Sequence, residues 1–597
     1  MTAALDWSKT GIRPLLIAGV VLLVAWPLLW TSPYDLRIVT IVGIYALLAL
    51  GYQFIFGHAG ALALTQGTFF GVGAYVTAIL SVRYAIGGEL TLVLSIAVPV
   101  ALAALIAAPV LRLESHYFAL ATLGIGQVML LIAVAWQDFT GGSNGISGIP
   151  ALNVFGVEAK KGYGLLAFVW TCVAAGAFLS WRITRGLYGA GLAISRENPV
   201  AALSLGIDIA KLRYAMFLLS AMFAGLAGAL YAHTIRVVSP EALEFPIMVA
   251  CLTIAVVGGR THIAGAILGA FLIVNLPEWF RAMEKYYLIA YGLALLAMII
   301  AAPYGLIGLL EQWRSRLWPE RPREIPQPEL LVTSRVAVTN EAPLLEIRGV
   351  TKRFGGLKAL DDVSLTVARG EIFGLIGPNG SGKTTLLNIV TGIYRADAGS
   401  VVLDALPIHD QPSFVIAQGG IARTFQNVNL VDEMTVLDNV AVARYGFARA
   451  GLRQVLAARA SDPAWRRARA HALYLLDSLG VASVAQSTAG SLAYGVKRKV
   501  EVARGLALEP KLLLLDEPAA GLNEVEQLDL AQRLRGFAAN GLAILVIEHN
   551  MTFLMPLAQR MACLNHGELI AVGTPAEIRA NRTVIEAYLG APEPVAA

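Results

Sequence analysis

The chain has 597 residues, 57% of them hydrophobic and only 15% charged, against about a quarter charged in a soluble globular chain. With a mean hydropathy of +0.65, this composition excludes an ordinary soluble enzyme and points to a membrane protein. The net charge of +5 implies no nucleic-acid surface, and the three cysteines (Cys172, Cys251, Cys563) form no CxxC pair, so neither a disulfide framework nor a metal site is suggested.

Charge is uneven along the sequence: long uncharged runs come first and ordinary charge density follows, which implies at least two domains in different solvents. The length accommodates a membrane domain of roughly 300 residues and an α/β domain of roughly 250. The first apolar run, Leu15 to Trp30, follows Lys9 and Arg13 as a signal peptide would. Only Thr31-Ser32-Pro33 stands where a small-x-small cleavage site is needed, so an uncleaved first span is expected. A helix crosses the hydrocarbon with about 20 apolar residues, and about ten such runs occur. They lie near 15–32, 36–57, 61–82, 90–111, 117–136, 163–181, 212–233, 242–258, 263–280 and 286–303, and backbone groups in lipid must bond internally, so each is read as a helix. Gly-rich breaks fall at Phe56-Gly57-His58-Ala59-Gly60 and Val257-Gly258-Gly259-Arg260, where helices can be interrupted inside a protein.

Gly67, Gly71, Gly73, Gly225 and Gly228 suit close helix packing. Gln53, Gln66, Gln127 and Asn275 are polar groups within or near spans, where such groups are often functional. The spans hold few acids and no ladder of ionisable residues such as an ion-coupled pump would need. The most basic loop, 182–213, carries Arg182, Arg185, Arg196, Lys211 and Arg213 and should face the cytoplasm. Ten spans then put both termini inside, in keeping with Arg314, Arg316, Arg321 and Arg323 after the last one; Lys160, Lys161, Arg281 and Lys285 on the outside weaken the bias. Within the basic loop, Pro199 can start a short helix and Gly206 end it. The division expected is a membrane domain at 1–313, a semi-rigid linker at 314–343 rich in Pro and alternating charge, and an α/β domain at 344–597.

In the second half, a strand at Leu344-Leu345-Glu346-Ile347 is followed by Glu371-Ile372-Phe373-Gly374-Leu375-Ile376, a short buried strand. It runs into Gly377-Pro378-Asn379-Gly380-Ser381-Gly382-Lys383-Thr384, a G-x-x-x-x-G-K-[ST] loop between strand and helix, the helix expected from Thr385 to Gly392. The glycines let backbone N–H groups turn inward around phosphates, and the helix N-terminus adds partial positive charge. Lys383 should reach the β- and γ-phosphates, and the Thr384 hydroxyl should ligate Mg²⁺. Candidate nucleotide-binding residues are therefore Gly377, Pro378, Asn379, Gly380, Ser381, Gly382, Lys383, Thr384 and Thr385. Leu512-Leu513-Leu514-Leu515 reads as a buried parallel strand ending in Asp516 and Glu517, at the sheet edge where ligands bind. Asp516 would hold Mg²⁺ and Glu517 would polarise the attacking water.

On these motifs the second half resembles the ABC transporter ATPases. The resemblance implies that Phe354 stacks on adenine and that Gln426, in Thr424-Phe425-Gln426-Asn427, links the γ-phosphate site to the membrane domain and joins Thr384 and Asp516 at Mg²⁺. It implies that His549, in Val546-Ile547-Glu548-His549, contacts the γ-phosphate. Leu492, Ala493, Tyr494 and Gly495 occupy the signature, which departs from the usual form at Ala493 and Val496. The helix after it, expected from Lys497 to Ala507, would face the ATP of a second ATPase subunit, and Pro518 to Asn523 would cross the dimer interface.

The first half resembles the matching permease of the branched-chain amino acid importers. The resemblance rests on Gly141-Gly142-Ser143-Asn144-Gly145-Ile146-Ser147-Gly148-Ile149-Pro150, Ala224-Gly225-Leu226-Ala227-Gly228 and Pro303-Tyr304-Gly305-Leu306-Ile307-Gly308. The chain end, Val584-Ile585-Glu586-Ala587-Tyr588-Leu589-Gly590, is similar to the ATPase of that subgroup. The segment with Glu197, Ala201, Ala202 and Gly206 matches the coupling segment of import permeases; its apolar face needs a partner surface, the ATPase cleft near Gln426 being the natural one. The fold class implied is a polytopic α-helical membrane domain followed by an α/β P-loop ABC ATPase domain.

The implied function is ATP-driven import of branched-chain or other hydrophobic amino acids across a bacterial inner membrane, with ATP and Mg²⁺ as cofactors and membrane lipid around the spans. The partners implied are a second permease and a second ATPase subunit, or a second copy of the chain, and a periplasmic substrate-binding protein. The same machinery could carry urea, short amides or aromatic acids. An exporter is disfavoured by the coupling segment, and a non-transport ATPase by the spans.

Overall fold

The computed structural model describes residues 32–111, 113, 115–154, 157–158, 162–280, 286–302, 305–317, 342–446 and 463–589. The expected first span, most of the linker, and Lys160, Lys161, Arg281, Lys285, Arg321, Arg323, Pro303, Tyr304 and Gly590 lie outside these residues. By its internal contacts the chain parts into two compact units. One holds residues 3–185 and 210–321; the other joins Gly186–Ile209 to the chain from 322 onward.

In the first unit the apolar runs fold as helices: α1 (Pro33–Tyr52), α2 (Gln66–Val82), α3 (Gly88–Val110), α4 (Ser115–Ala135) and α5 (Tyr163–Ile183). After α6 (Gly186–Glu197) and α7 (Pro199–Ser204), which belong to the second unit, come α8 (Ile209–Ile235), α9 (Phe245–Gly258), α10 (Ile263–Trp279), α11 (Tyr287–Ala301) and α12 (Gly305–Leu317). Among the described residues five helices are long and apolar enough to cross a membrane: Pro33–His58, Gly88–Val110, His116–Ala135, Tyr163–Ile183 and Ile209–Ile235. The shorter apolar helices include Gln66–Val82, Phe245–Gly258 and Ile263–Trp279.

The two Gly-rich breaks pack on each other. Helix α1 continues as a π-helical stretch, Gln53–His58, and α2 begins only at Gln66; α9 stops at Gly258, with Gly259 at φ +117°. Gln53 Nε2 donates to the Gly259 and His262 carbonyls at 3.0 and 2.9 Å, so its side chain ties the end of α1 to the second break. Gln66 bonds two other helices, donating to the Leu48 carbonyl of α1 at 3.1 Å and accepting from Ser220 Oγ of α8 at 2.6 Å. Asn275 donates to Phe271 one turn back, at 2.7 Å. Gln127 is exposed beside a small cavity that Thr68 and Glu244 also line. The glycines serve packing: a Cβ on Gly73 would lie 2.7 Å from Gly225 Cα, so only two glycines let α2 and α8 approach this closely.

The second unit carries two sheets. β1 (Leu345–Phe354) and β2 (Leu357–Val367) pair antiparallel in a four-stranded sheet ordered β2-β1-β4-β5, with β4 (Ala398–Leu403) and β5 (Leu406–Pro407). The six-stranded sheet has the order β6-β7-β8-β3-β9-β10. Its members are β3 (Ile372–Ile376), β6 (Ile421–Arg423), β7 (Leu512–Asp516), β8 (Ala543–Ile547), β9 (Arg560–Asn565) and β10 (Glu568–Gly573). The strands from β6 to β9 run parallel, and β10 closes the edge antiparallel. β3, β7 and β8 are buried along their whole length, as apolar runs in a two-sided parallel sheet must be. Phe373, Leu375, Leu512, Leu514, Leu545 and Leu564 fill the core, and the C-terminal ends of β3, β8 and β7 lie side by side at one edge.

Candidate active site

The phosphate loop leaves β3 at Gly377 and enters α13 (Lys383–Val390), two residues earlier than expected, so Lys383, Thr384 and Thr385 form the helix's first turn with its free N–H donors. Gly377, Gly380 and Gly382 have φ of +151°, +81° and +103°, and a Cβ on Gly382 would meet the Ala359 carbonyl at 2.6 Å. Lys383 Nζ donates to the Gly377 and Pro378 carbonyls at 2.7 and 2.8 Å and to Ser381 Oγ at 3.3 Å, which folds the loop around the ammonium. Burial lowers the Lys383 pKa, against the pull of Glu517 and Asp516.

Across β8, Asp516 ends β7 almost fully buried, with Arg423 Nη2 3.4 Å from its Oδ2. Burial raises its carboxyl above the ordinary range, and Arg423 opposes the shift. Glu517 follows at φ +51°, a left-handed conformation that a non-glycine residue holds only under constraint; its N–H donates to the Ile547 carbonyl at 2.9 Å. This turn lifts the carboxylate toward two exposed groups. Gln426 Nε2 donates to Glu517 Oε2 at 3.3 Å, and His549 Nδ1 lies 3.7 Å from Oε1. Three residues expected to act together therefore meet at one point. Neighbouring Glu548 is buried and accepts from the N–H groups of Ala519, His549 and Asn550, which fixes the chain on both sides of the carboxylate. Phe354 ends β1 as an exposed residue, edge-on to Tyr394 at 5.3 Å and with Lys352 Nζ over its ring at 5.5 Å.

The signature helix, α15, runs Tyr494–Leu506, three residues ahead of the expected start, because Ala493 already adopts the extended N-cap conformation. Leu492 and Ala493 thus precede the helix, while Tyr494 and Gly495 form its first turn. Three charged residues on α15 were not anticipated. Arg498, 1% exposed, donates to the Phe425 carbonyl (2.5 Å), Glu501 Oε2 (2.8 Å) and the carbonyls of Asp516 and Glu517 (2.5 and 2.6 Å). Glu501 accepts from the N–H groups of Phe425 and Asn429 at 3.4 and 3.5 Å, and Arg504 donates to the Asn429 carbonyl at 2.7 Å. This buried group ties the stretch around Gln426 to the Asp516–Glu517 turn. The only sequence signal was its i, i+3, i+6 spacing, which puts all three on one helix face.

The basic loop forms α6 and α7, and the expected ends of the short helix hold: Pro199 is its first residue, and Gly206 follows at φ +74°. Asn198 caps α7, its Oδ1 accepting from Ala201 N at 2.9 Å, and its Nδ2 donates to Asn429 Oδ1 at 2.7 Å. Ala201, Ala202 and Leu205 are buried, and α7 packs on α6 and on α14 (Ser413–Gln418) of the ATPase part of the same unit: Val200 and Ser204 line a small cavity with Ser413 and Ile416, and Gln418 Nε2 donates to the Gly206 carbonyl at 2.7 Å. Glu197 pairs with Arg196, which also lies 3.8 Å from Glu433. The partner surface is thus α14 and the stretch just beyond Gln426.

A glycine-lined phosphate loop, a buried Asp ahead of a constrained Glu, and a sheet of this order define a P-loop ATPase of the ATP-binding-cassette class. Family models agree across the chain: residues 35–303 match the permease component of the branched-chain amino acid transport system, 360–520 the ABC transporter, and 568–594 the branched-chain amino acid ATP-binding cassette transporter. The chain is 41% identical over 253 residues to the high-affinity branched-chain amino acid transport ATP-binding protein BraF of Pseudomonas aeruginosa, covering 42% of this chain and 98% of that one. It is 44% identical over 255 residues to LivG of Salmonella typhimurium, again covering 42% and 98%. A solved nucleotide-free ATP-binding cassette is similar at 29% identity over 42% of this chain and 100% of its own, with a TM-score of 0.38. The chain belongs to the branched-chain amino acid ABC transporter family and joins a permease domain and an ATP-hydrolysing cassette in one polypeptide.

Proposed function

We propose that this chain is the fused permease–ATPase subunit of an importer that moves branched-chain or other hydrophobic amino acids inward across the bacterial inner membrane. The observation that carries the reading is the seat of α7 on the cassette, where Asn198 meets Asn429 three residues beyond Gln426. A helix from the middle of the permease sequence then touches the segment that reaches the catalytic carboxylate. On this reading residues 1–313 form the permease with about ten spans and both ends in the cytoplasm. Residues 314–343 link it to the cassette at 344–597. A second permease and a second cassette, or a second copy of the chain, complete the transporter, and a periplasmic binding protein delivers substrate.

The loop from Gly377 to Thr385 cradles the phosphates of ATP and Phe354 stacks on the adenine. Glu517 polarises the attacking water, held in place by Gln426, while His549 contacts the γ-phosphate. Thr384, Asp516 and Gln426 offer the hard oxygen donors that Mg²⁺ takes, and the buried Asp516 carboxylate fits a cation better than solvent does. Mg²⁺ held by these residues would supply positive charge to the phosphates. Leu492 to Gly495 face the ATP of the second cassette. The test is uptake by the full chain reconstituted with its partners and a binding protein. ATP-dependent entry of leucine, isoleucine or valine is expected; entry of urea, an amide or an aromatic acid instead would replace the substrate class.

A further inference from the structure

The C-terminal helix α16 (Arg582–Leu589) is the last element described, and none of the roles above uses it. Its Tyr588 hydroxyl accepts a hydrogen bond from the Gly377 N–H at 2.8 Å, across 211 residues of sequence. The bond answers a local need. Strand pairing of β3 ends with Leu375 opposite Ile547 and Ile376 opposite Cys563, so Gly377 has left the ladder. An N–H at the end of a buried strand requires a partner. The other side of the same glycine is occupied too: its carbonyl accepts from Lys383 Nζ at 2.7 Å. The first residue of the phosphate loop is thus held between the phosphate lysine and the C-terminal helix. The helix has its own local supports. Asn581 Oδ1 accepts from Thr583 N at 2.9 Å, Arg582 pairs with Glu586 at 2.8 Å, and Val584 is buried.

We propose that Tyr588 is a positioning residue for the phosphate loop, its hydroxyl fixing the Gly377 peptide so that the loop is preset for nucleotide. The proposal rests on the reading of Gly377–Thr384 as the nucleotide loop. Without the hydroxyl the loop spreads over more conformations, and affinity falls in proportion to the share of the competent one.

The test uses the full-length chain in detergent or nanodiscs, with Tyr588→Phe, which keeps the ring, and Lys383→Ala beside it. Two quantities are read: the Kd for a fluorescent ATP analogue, and hydrogen–deuterium exchange of peptides 372–382 and 582–589. In Tyr588→Phe, loss of one hydrogen bond should raise the Kd about five-fold and quicken exchange in 372–382, while 582–589 stays as protected as before. An unchanged Kd would overturn the proposal. So would a raised Kd with equally quickened exchange in 582–589, since the tyrosine would then only anchor its own helix. If Lys383→Ala retains full affinity, the nucleotide-loop reading fails; if it loses affinity while Tyr588→Phe does not, the tyrosine proposal alone fails.

Discussion

Removing the side-chain bond between Asn198 and Asn429 should uncouple the two activities of the chain while leaving each intact. The bond is 2.7 Å long, neutral and half-buried, so it contributes about 1 kcal/mol, or about five-fold in a rate that depends on it. Asn429→Ala breaks only this contact, because Arg504 and Glu501 hold the Asn429 backbone. Asn198→Ala also removes the cap on Ala201, a further loss of about 1 kcal/mol, or about 25-fold in all. The assay is ATP hydrolysis by the reconstituted transporter, with and without substrate-loaded binding protein. Stimulation should fall about five-fold in Asn429→Ala and at most about 25-fold in Asn198→Ala, with basal hydrolysis within about two-fold of the parent. The double variant should be no worse than Asn198→Ala, since the shared contact can be lost once. Fully multiplicative losses, about 125-fold in the double variant, would show that the contact transmits nothing.

Glu517→Gln should abolish hydrolysis, by at least about 100-fold, while a fluorescent ATP analogue still binds; undiminished turnover would remove Glu517 from the catalytic role. Arg498→Met leaves Glu501 buried without its nearest partner and frees the carbonyls of Phe425, Asp516 and Glu517. It should destabilise the cassette by about 3–5 kcal/mol, visible as a clear fall in Tm, and a Tm unchanged from the parent would count against the buried network. Lys511 and then Arg369 hold the Asp404 carboxyl below its ordinary value. A depressed carboxyl contributes stability above its unfolded value, lost as pH falls through the folded one. The Tm deficit of Asp404→Asn should therefore be constant from about pH 7 to 5 and shrink below about pH 4; a deficit that grows on acidification would reverse the sign of this assignment.

How much was legible in the sequence depended on whether the signal was local. The phosphate loop could be read because three glycines forced to positive φ sit between a strand and a helix, and the Asp516–Glu517 pair because four leucines before it describe a buried parallel strand. The ends of α7 were legible for the same reason, from Pro199 and Gly206. Helix starts were misjudged where the chain turns helical inside a functional motif, at Lys383 and at Tyr494. The roles of Gln53 and Gln66 were hidden because a glutamine bonding the backbone of a broken helix looks the same in sequence as one lining a pathway. Arg498, Glu501 and Arg504 resemble an ordinary solvated helix face until the Phe425–Asn429 stretch folds over them. The Asn198–Asn429 bond joins residues 231 apart and leaves no local trace.

The central claim is that triphosphate held by Lys383 and Thr384 drives substrate through the helices of the same chain. The most direct measurement is uptake of radiolabelled leucine into proteoliposomes that hold the complete transporter, with ATP on the cassette side and the loaded binding protein on the other. Parent protein should accumulate leucine only with ATP, and Lys383→Ala should accumulate none although it assembles normally. Accumulation that persists in Lys383→Ala, or proceeds equally without ATP, would contradict the account.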